Sequence, residues 1–291
     1  MKRQYKDLNL RPATVEVIEQ ANTIIDDYTQ QGYRMTLRQL YYQFVSKNLI
    51  PNTEKSYKRL AGIISDGRLA GLIDWNAIED RGRVADEPRQ WSSIQALVKA
   101  ASSQFRLPRW EGQDNYVELW VEKQALAGVL EPLAEEFHVT LMVNKGYSSQ
   151  SAMHVAAGRF ITAEGDGRTS HLLYLGDHDP SGEDMVRDIG DRLHMFGSDV
   201  TVKKLALTMA QVEEHNPPPN PAKMTDSRAE AYVREHGSSS WEVDALPPPV
   251  LSGIITEAIE GLLDHELMDE VVAREKKLTA ELDEAVKGIR A

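Results

Sequence analysis

Between residues 115 and 207 the chain alternates short apolar segments with amphipathic ones, and this alternation constrains the fold more than any other feature. Residues 116–121 (YVELWV), 139–143 (VTLMV), 171–176 (HLLYLG) and 201–207 (TVKKLAL) read as strands. Residues 124–136, 151–160 and 182–196 read as the helices between them. Near-continuous apolar strands joined through helices by short connections predict a mostly parallel sheet covered on both faces. Ligands of such sheets collect beyond the carboxyl ends of the strands.

The first ~110 residues are mostly helical by periodicity. Residues 12–31 give a helix with Val15, Ile18, Ala21, Ile24 and Ile25 at helical spacing, and Gly32 ends it. Thr36 is a good N-cap for a second helix over 37–47, and residues 57–65 give a third. Gly67 and Gly71 then predict a short hairpin or wing. Three helices and a wing describe a winged helix-turn-helix, which often lays one helix in the DNA major groove. The expected division is a winged-helix domain over 1–110, an α/β domain over 111–215, and a proline-rich segment with a C-terminal helical extension over 216–291. The long helical pattern of 249–290 covers the sheet or binds a second subunit.

Charge divides along the same boundary. The chain carries −12 overall, yet its first 110 residues hold 17 Lys and Arg against 12 Asp and Glu. A basic module joined to an acidic one points to a polyanion-binding half, against the plainer reading of two unequally charged surfaces. No cysteine occurs, which excludes disulfides, thiolate metal sites and a cysteine nucleophile. There is no phosphate loop of the G-x-x-x-x-G-K-[ST] type, no G-x-S-x-G elbow and no H-E-x-x-H pair. No apolar run approaches the ~20 residues of a membrane helix, and the N-terminus lacks a signal-peptide stretch, so a cytoplasmic protein is expected.

The segment Gly176-Asp177-His178-Asp179-Pro180-Ser181-Gly182 places two carboxylates just past an apolar strand, in a turn that Pro180 and Gly182 tighten. Glu122 ends the strand of residues 116–121. Three carboxylates meeting at one sheet edge repel unless a cation neutralises them, and an oxygen-only set suits Mg²⁺. The competing reading makes Asp177 and Asp179 turn-formers and Glu122 a surface residue. His178 points away from the two aspartates by strand alternation.

Val121-Glu122-Lys123, then Asn144-Lys145-Gly146-Tyr147, then the Gly176–Gly182 segment, resemble in order the V-E-K, G-K-G-Y and G-D-x-D-P-x-G motifs of a Toprim domain. In particular they resemble the A subunit of topoisomerase VI and the related meiotic double-strand-break transesterases. Asn144 replaces the first glycine of the second motif. Trp241-Glu242-Val243-Asp244-Ala245-Leu246 is similar to the E-I-Q-A-L segment of the same subunits. Arg38-Gln39-Leu40-Tyr41-Tyr42 resembles their R-D-I-Y-Y motif, with Gln39 in place of the aspartate.

The resemblance implies Glu122, Asp177 and Asp179 as ligands of Mg²⁺, with Mn²⁺ as an alternative ion, and Glu122 as an acid–base group. It implies Tyr42 as the nucleophile. Helical geometry agrees in part: Leu37, Leu40, Tyr41, Phe44 and Val45 form one apolar stripe, and Tyr42 falls beside it, one turn after Arg38. An accessible phenol beside a guanidinium suits attack on a phosphodiester. The alternative is that both tyrosines only pack the helical core.

Lys55, Lys58, Arg59 and Arg68, with Arg81, Arg83 and Lys145, are candidate contacts to DNA phosphates. The function expected from the resemblance is Mg²⁺-dependent cleavage and rejoining of DNA by tyrosine transesterification. The expected partners are double-stranded DNA, a second copy of the chain and a separate ATPase subunit, with no membrane and a nucleoid-associated location in a bacterium or archaeon. In the family the tyrosine of one subunit approaches the metal site of the other. Two rivals remain: a metal-dependent hydrolytic nuclease with a structural Tyr42, and a non-catalytic DNA-binding protein on the same scaffold.

Overall fold

The computed structural model describes residues 1–79, 88–144, 148–222, 224, 226 and 228–287. Arg81, Arg83 and Lys145 lie outside them. Helix α1 (Pro12–Gln30) opens the chain, with Pro12 in its first turn where no backbone N–H is needed. Strand β1 (Met35–Thr36) leads into α2 (Leu37–Ser46), whose start is fixed by a capping box between Thr36 and Gln39. Thr53 caps α3 (Glu54–Leu69). The three helices close on Ile18, Ile24, Leu40, Phe44, Leu60, Ile64 and Ile73, each 5 % exposed or less.

Where a hairpin is expected to begin after residue 65, the helix continues for one further turn, to Leu69. Gly67 lies inside α3 because its missing side chain admits Ile73, whose Cδ1 would stand 2.9 Å from a Cβ there. The chain then returns as β2 (Ile78–Glu79), which pairs parallel with β1. Helix α4 (Ile94–Gln104) follows.

The alternating region forms β3 (Asn115–Val121), a single 3₁₀ turn, α5 (Ala127–Phe137), β4 (Thr140–Val143), α6 (Gln150–Gly165), β5 (Thr169–Leu175), α7 (Pro180–Met195), β6 (Thr201–Ala206) and α8 (Met209–His215). The sheet runs β4-β3-β5-β6, and every pairing is parallel. Val117, Leu119, Val121, Leu173 and Leu175 face one core; Trp120, Leu172 and Tyr174 face the other. Each fully buried aliphatic side chain contributes about 1.5–3 kcal/mol, which is why a helix must cover each face. Among the described residues no helix is long and apolar enough to cross a membrane.

The C-terminal third is more structured than its composition suggests. It holds β7 (Asn220–Pro221), α9 (Ala229–His236) and β8 (Ser239–Ser240). The single long helix expected over 249–290 is two: α10 (Pro248–Glu260), packed on the β3–β5 face, and α11 (His265–Lys287). The break is held from far away. Gln113 donates to the Asp264 carbonyl and accepts from its N–H, both at 2.7 Å, and Asn115 donates to Leu262 at 2.8 Å. Glu275 on α11 ties down the chain before β3, bonding the Leu107 N–H at 2.9 Å and Arg109 at 3.0 Å.

Candidate functional site

Register sets the site. Val121 is level with Val143 and with Leu175, and Leu175 with Ala206, so the strands end together. Glu122, Asn144 and Gly176 are the next residues. Glu122 accepts from the Asp177 backbone N–H at 3.2 Å, so two of the three expected acidic residues are neighbours at the sheet's carboxyl edge. Asp179 caps α7 instead, accepting from the Gly182 N–H at 2.7 Å and the Ser181 hydroxyl at 3.0 Å. The turn requires glycine at 182, where a Cβ would collide with the Asp177 carbonyl.

A segment from far along the chain covers this edge. His178 and Trp241 form a two-bond antiparallel bridge, at 2.8 and 2.9 Å. It lays residues 241–246 across the strand ends, where the Val243 N–H donates to Asp177 Oδ1 at 2.9 Å. Val243 and Leu246 enter the sheet core, and Ala245 enters the helical one. His178 is buried and turned as expected from the aspartates toward Tyr232, whose hydroxyl is 2.8 Å from its Nδ1, with His236 and Trp241 beside it.

The bridge also delivers Glu242 and Asp244, to which the sequence reading gave no role, as it gave none to Lys123. The Lys123 ammonium lies 2.8 Å from each of Asp177, Glu242 and Asp244. Arg38 reaches across from α2, pairing with Glu242 and, at 3.1 Å, with Asp244. The same Arg38 nitrogen also donates to the Tyr42 hydroxyl at 3.3 Å, which links Tyr42 to Glu242 through the guanidinium. Tyr42, Arg38, Glu242, Lys123, Asp177 and Glu122 thus form one continuous polar network within a single chain. Alternating acids in Trp241-Glu242-Val243-Asp244, next to apolar Ala245-Leu246, are the signal that would have found it.

Four carboxylates face two cations here, and protonation equilibria shift accordingly. Burial pushes the Asp177 carboxyl up to about 7; Lys123 opposes the shift, and Glu122 and Asp244 add to it. Burial acts the same way on Glu242, but Lys123 and Arg38 overcome it and hold Glu242 down to about 2. Burial would weaken the Lys123 ammonium, yet Asp244, Asp177 and Glu242 raise it above the ordinary lysine value. The expectation of an accessible phenol at Tyr42 is corrected. Its side chain is 4 % exposed because residues 241–246 cover it, and burial followed by Asp244 and Glu242 holds its proton more tightly than usual. Tyr41 belongs to the core as expected, its hydroxyl 2.8 Å from Asn52 Oδ1.

The donor chemistry of Glu122 and Asp177 suits a hard divalent cation. Their arrangement is incomplete: among the described residues no three Asp, Glu or His side chains are grouped to hold an ion. Asn144, level with Glu122, has a buried amide with no hydrogen-bond partner among the described residues.

Of the basic candidates, Lys55, Lys58 and Arg59 are exposed on one face of α3, with Lys58 paired to Glu54 at 2.5 Å. Arg68 is engaged elsewhere: it donates to the carbonyls of Trp75 and Ile78 and stacks on the Trp75 ring. Comparison with protein-family models, with curated proteins and with solved structures finds no match to this chain.

Proposed function

We propose that this chain cleaves and rejoins DNA phosphodiesters with the help of a divalent cation, using Tyr42 as nucleophile. One observation carries the reading: the polar network that joins Tyr42 on α2 to Glu122 and Asp177 at the sheet edge. Two hydrophobic cores have no packing reason to share a half-buried ladder of two cations and four carboxylates, since breaking such pairs is costly and apolar contacts would hold the cores equally well.

Glu122, Asp177 and Asp179 are the residues that would hold Mg²⁺ or Mn²⁺. A bound ion supplies neutralisation of the phosphate's developing charge. Arg38 orients the phosphate through its guanidinium. Tyr42 loses its proton, its oxygen bonds to phosphorus, and the 3′-oxygen leaves and is protonated. The products are a 5′-phosphotyrosyl bond and a free 3′-hydroxyl, and the reverse reaction reseals the strand. Lys55, Lys58 and Arg59 offer phosphate contacts without sequence selectivity. A second copy and a separate ATPase subunit are proposed partners; the network described above lies within one chain, so a tyrosine acting on a partner's carboxylates requires that network to open.

The burial of Tyr42 favours a second reading, in which water attacks and Tyr42 is structural. Denaturing electrophoresis of labelled duplex DNA incubated with Mg²⁺ or Mn²⁺ separates the two. Protein attached to 5′ ends, lost in Tyr42→Phe, supports transesterification. Free ends, undiminished in Tyr42→Phe, support hydrolysis. Intact DNA under either ion, although bound, overturns both.

A further inference from the structure

Two cations converge on a single carboxylate beside a phenol. Glu242 Oε2 is held by Lys123 at 2.8 Å and by Arg38, whose same nitrogen also donates to the Tyr42 hydroxyl at 3.3 Å. Fixed donors around a compact anion are the arrangement a phosphate group requires. The position is open to solvent: the Arg38 side chain is 45 % exposed and that of Glu242 24 %. Asp244 and Asp177 share Lys123, and Asp244 shares Arg38, so both cations stay in place without Glu242.

We infer that Glu242 is an internal stand-in for a DNA phosphate, occupying an anion site made by Arg38 and Lys123 beside the Tyr42 hydroxyl. A strand phosphate enters this site only when the Glu242 side chain swings away, and the movement opens the path to the phenol. The Glu242 side chain is then a latch over Tyr42, while Asp244 and the buried Val243, Ala245 and Leu246 keep the backbone of the segment in place. This rests on the reading of the site as one for nucleic-acid phosphates, and extends it to how the resting protein is kept inert.

The test is equilibrium binding in the presence of a chelator, with a short DNA duplex and inorganic phosphate as separate probes. Glu242→Gln keeps the shape of the side chain and removes its charge. It is expected to bind the duplex about tenfold more tightly than the parent, with the slope of log affinity against log salt steeper by about one. Glu242→Asp, which retracts the carboxylate by one methylene, should gain in the same direction by less. Adding Arg38→Ala to Glu242→Gln should abolish the gain. Tighter binding of inorganic phosphate alone supports the anion site with a free phosphate as its ligand. Duplex and phosphate affinities no better than the parent's in both variants overturn the inference, as does loss of fold in both: Glu242 is then a strut between the two cores. No cleavage is read, so failed cleavage leaves this result standing, and failed binding gains leave the cleavage reading intact.

Discussion

Glu242 shows how one side chain serves stability and restraint together. Its carboxyl titrates near 2 in the folded protein against an ordinary 4.5. A folded value below the unfolded one means that the stabilisation is present above about pH 4.5 and is lost as pH falls toward 2. Chemical denaturation should therefore find the parent more stable than Glu242→Gln at neutral pH, by on the order of 2 kcal/mol for a partly exposed group, with the gap narrowing below about pH 4.5 and closing toward pH 2. A gap that persists in acid contradicts the assignment. Asp177 runs in the opposite sense. Its carboxyl is held near 7, so a proton competes with any cation below that pH. Mn²⁺ affinity measured by titration should rise between about pH 6 and 8, by up to tenfold per unit below the Asp177 value. A flat profile removes Asp177 from the ion's ligands.

Among the elements, α7 carries two roles at its N-cap. Asp179 caps the helix through the Gly182 N–H and is also a proposed ligand, and substitution separates the roles. Asn caps as well as Asp does, whereas Ala costs about 0.5–2 kcal/mol. Asp179→Asn should leave the melting temperature nearly unchanged and weaken Mn²⁺ binding; Asp179→Ala should do both kinds of harm. An Asn variant that binds Mn²⁺ like the parent leaves Asp179 a cap alone. The elements that could be read from the chain were those whose pattern is local. Each sheet strand is an apolar run flanked by polar turns, and α2 begins at a capping box. What escaped depends on distant partners. The break between α10 and α11 is held by Gln113 and Asn115, some 150 residues earlier, and α3 continues through Gly67 because Ile73 packs there. Helical spacing alone leaves Tyr42 accessible, since its cover, residues 241–246, arrives from the other end of the sequence. That Glu122 and Asp177 stand just past two neighbouring strands could be anticipated from strand-end spacing; Glu242 and Asp244 reach Lys123 only through the His178–Trp241 bridge.

At the scale of the whole molecule, the helical unit and the sheet unit are sewn together. Ala245 lies in one core while its neighbours Val243 and Leu246 lie in the other. Tyr33 bonds Ser252 at 3.0 Å, and Asn52 bonds the Pro219 carbonyl at 2.8 Å. Calorimetry should record a single unfolding transition, because neither unit opens without stripping residues 241–246 from the other. Two well-separated transitions would show the units to be independent. The account depends most on a divalent cation at the sheet edge, and anomalous diffraction from Mn²⁺-soaked crystals tests that directly. The predicted result is a peak bounded by the carboxylates of Glu122, Asp177 and Asp179, absent in Asp177→Asn. No peak at that edge, with Lys123 still held between Asp177, Glu242 and Asp244, would contradict it.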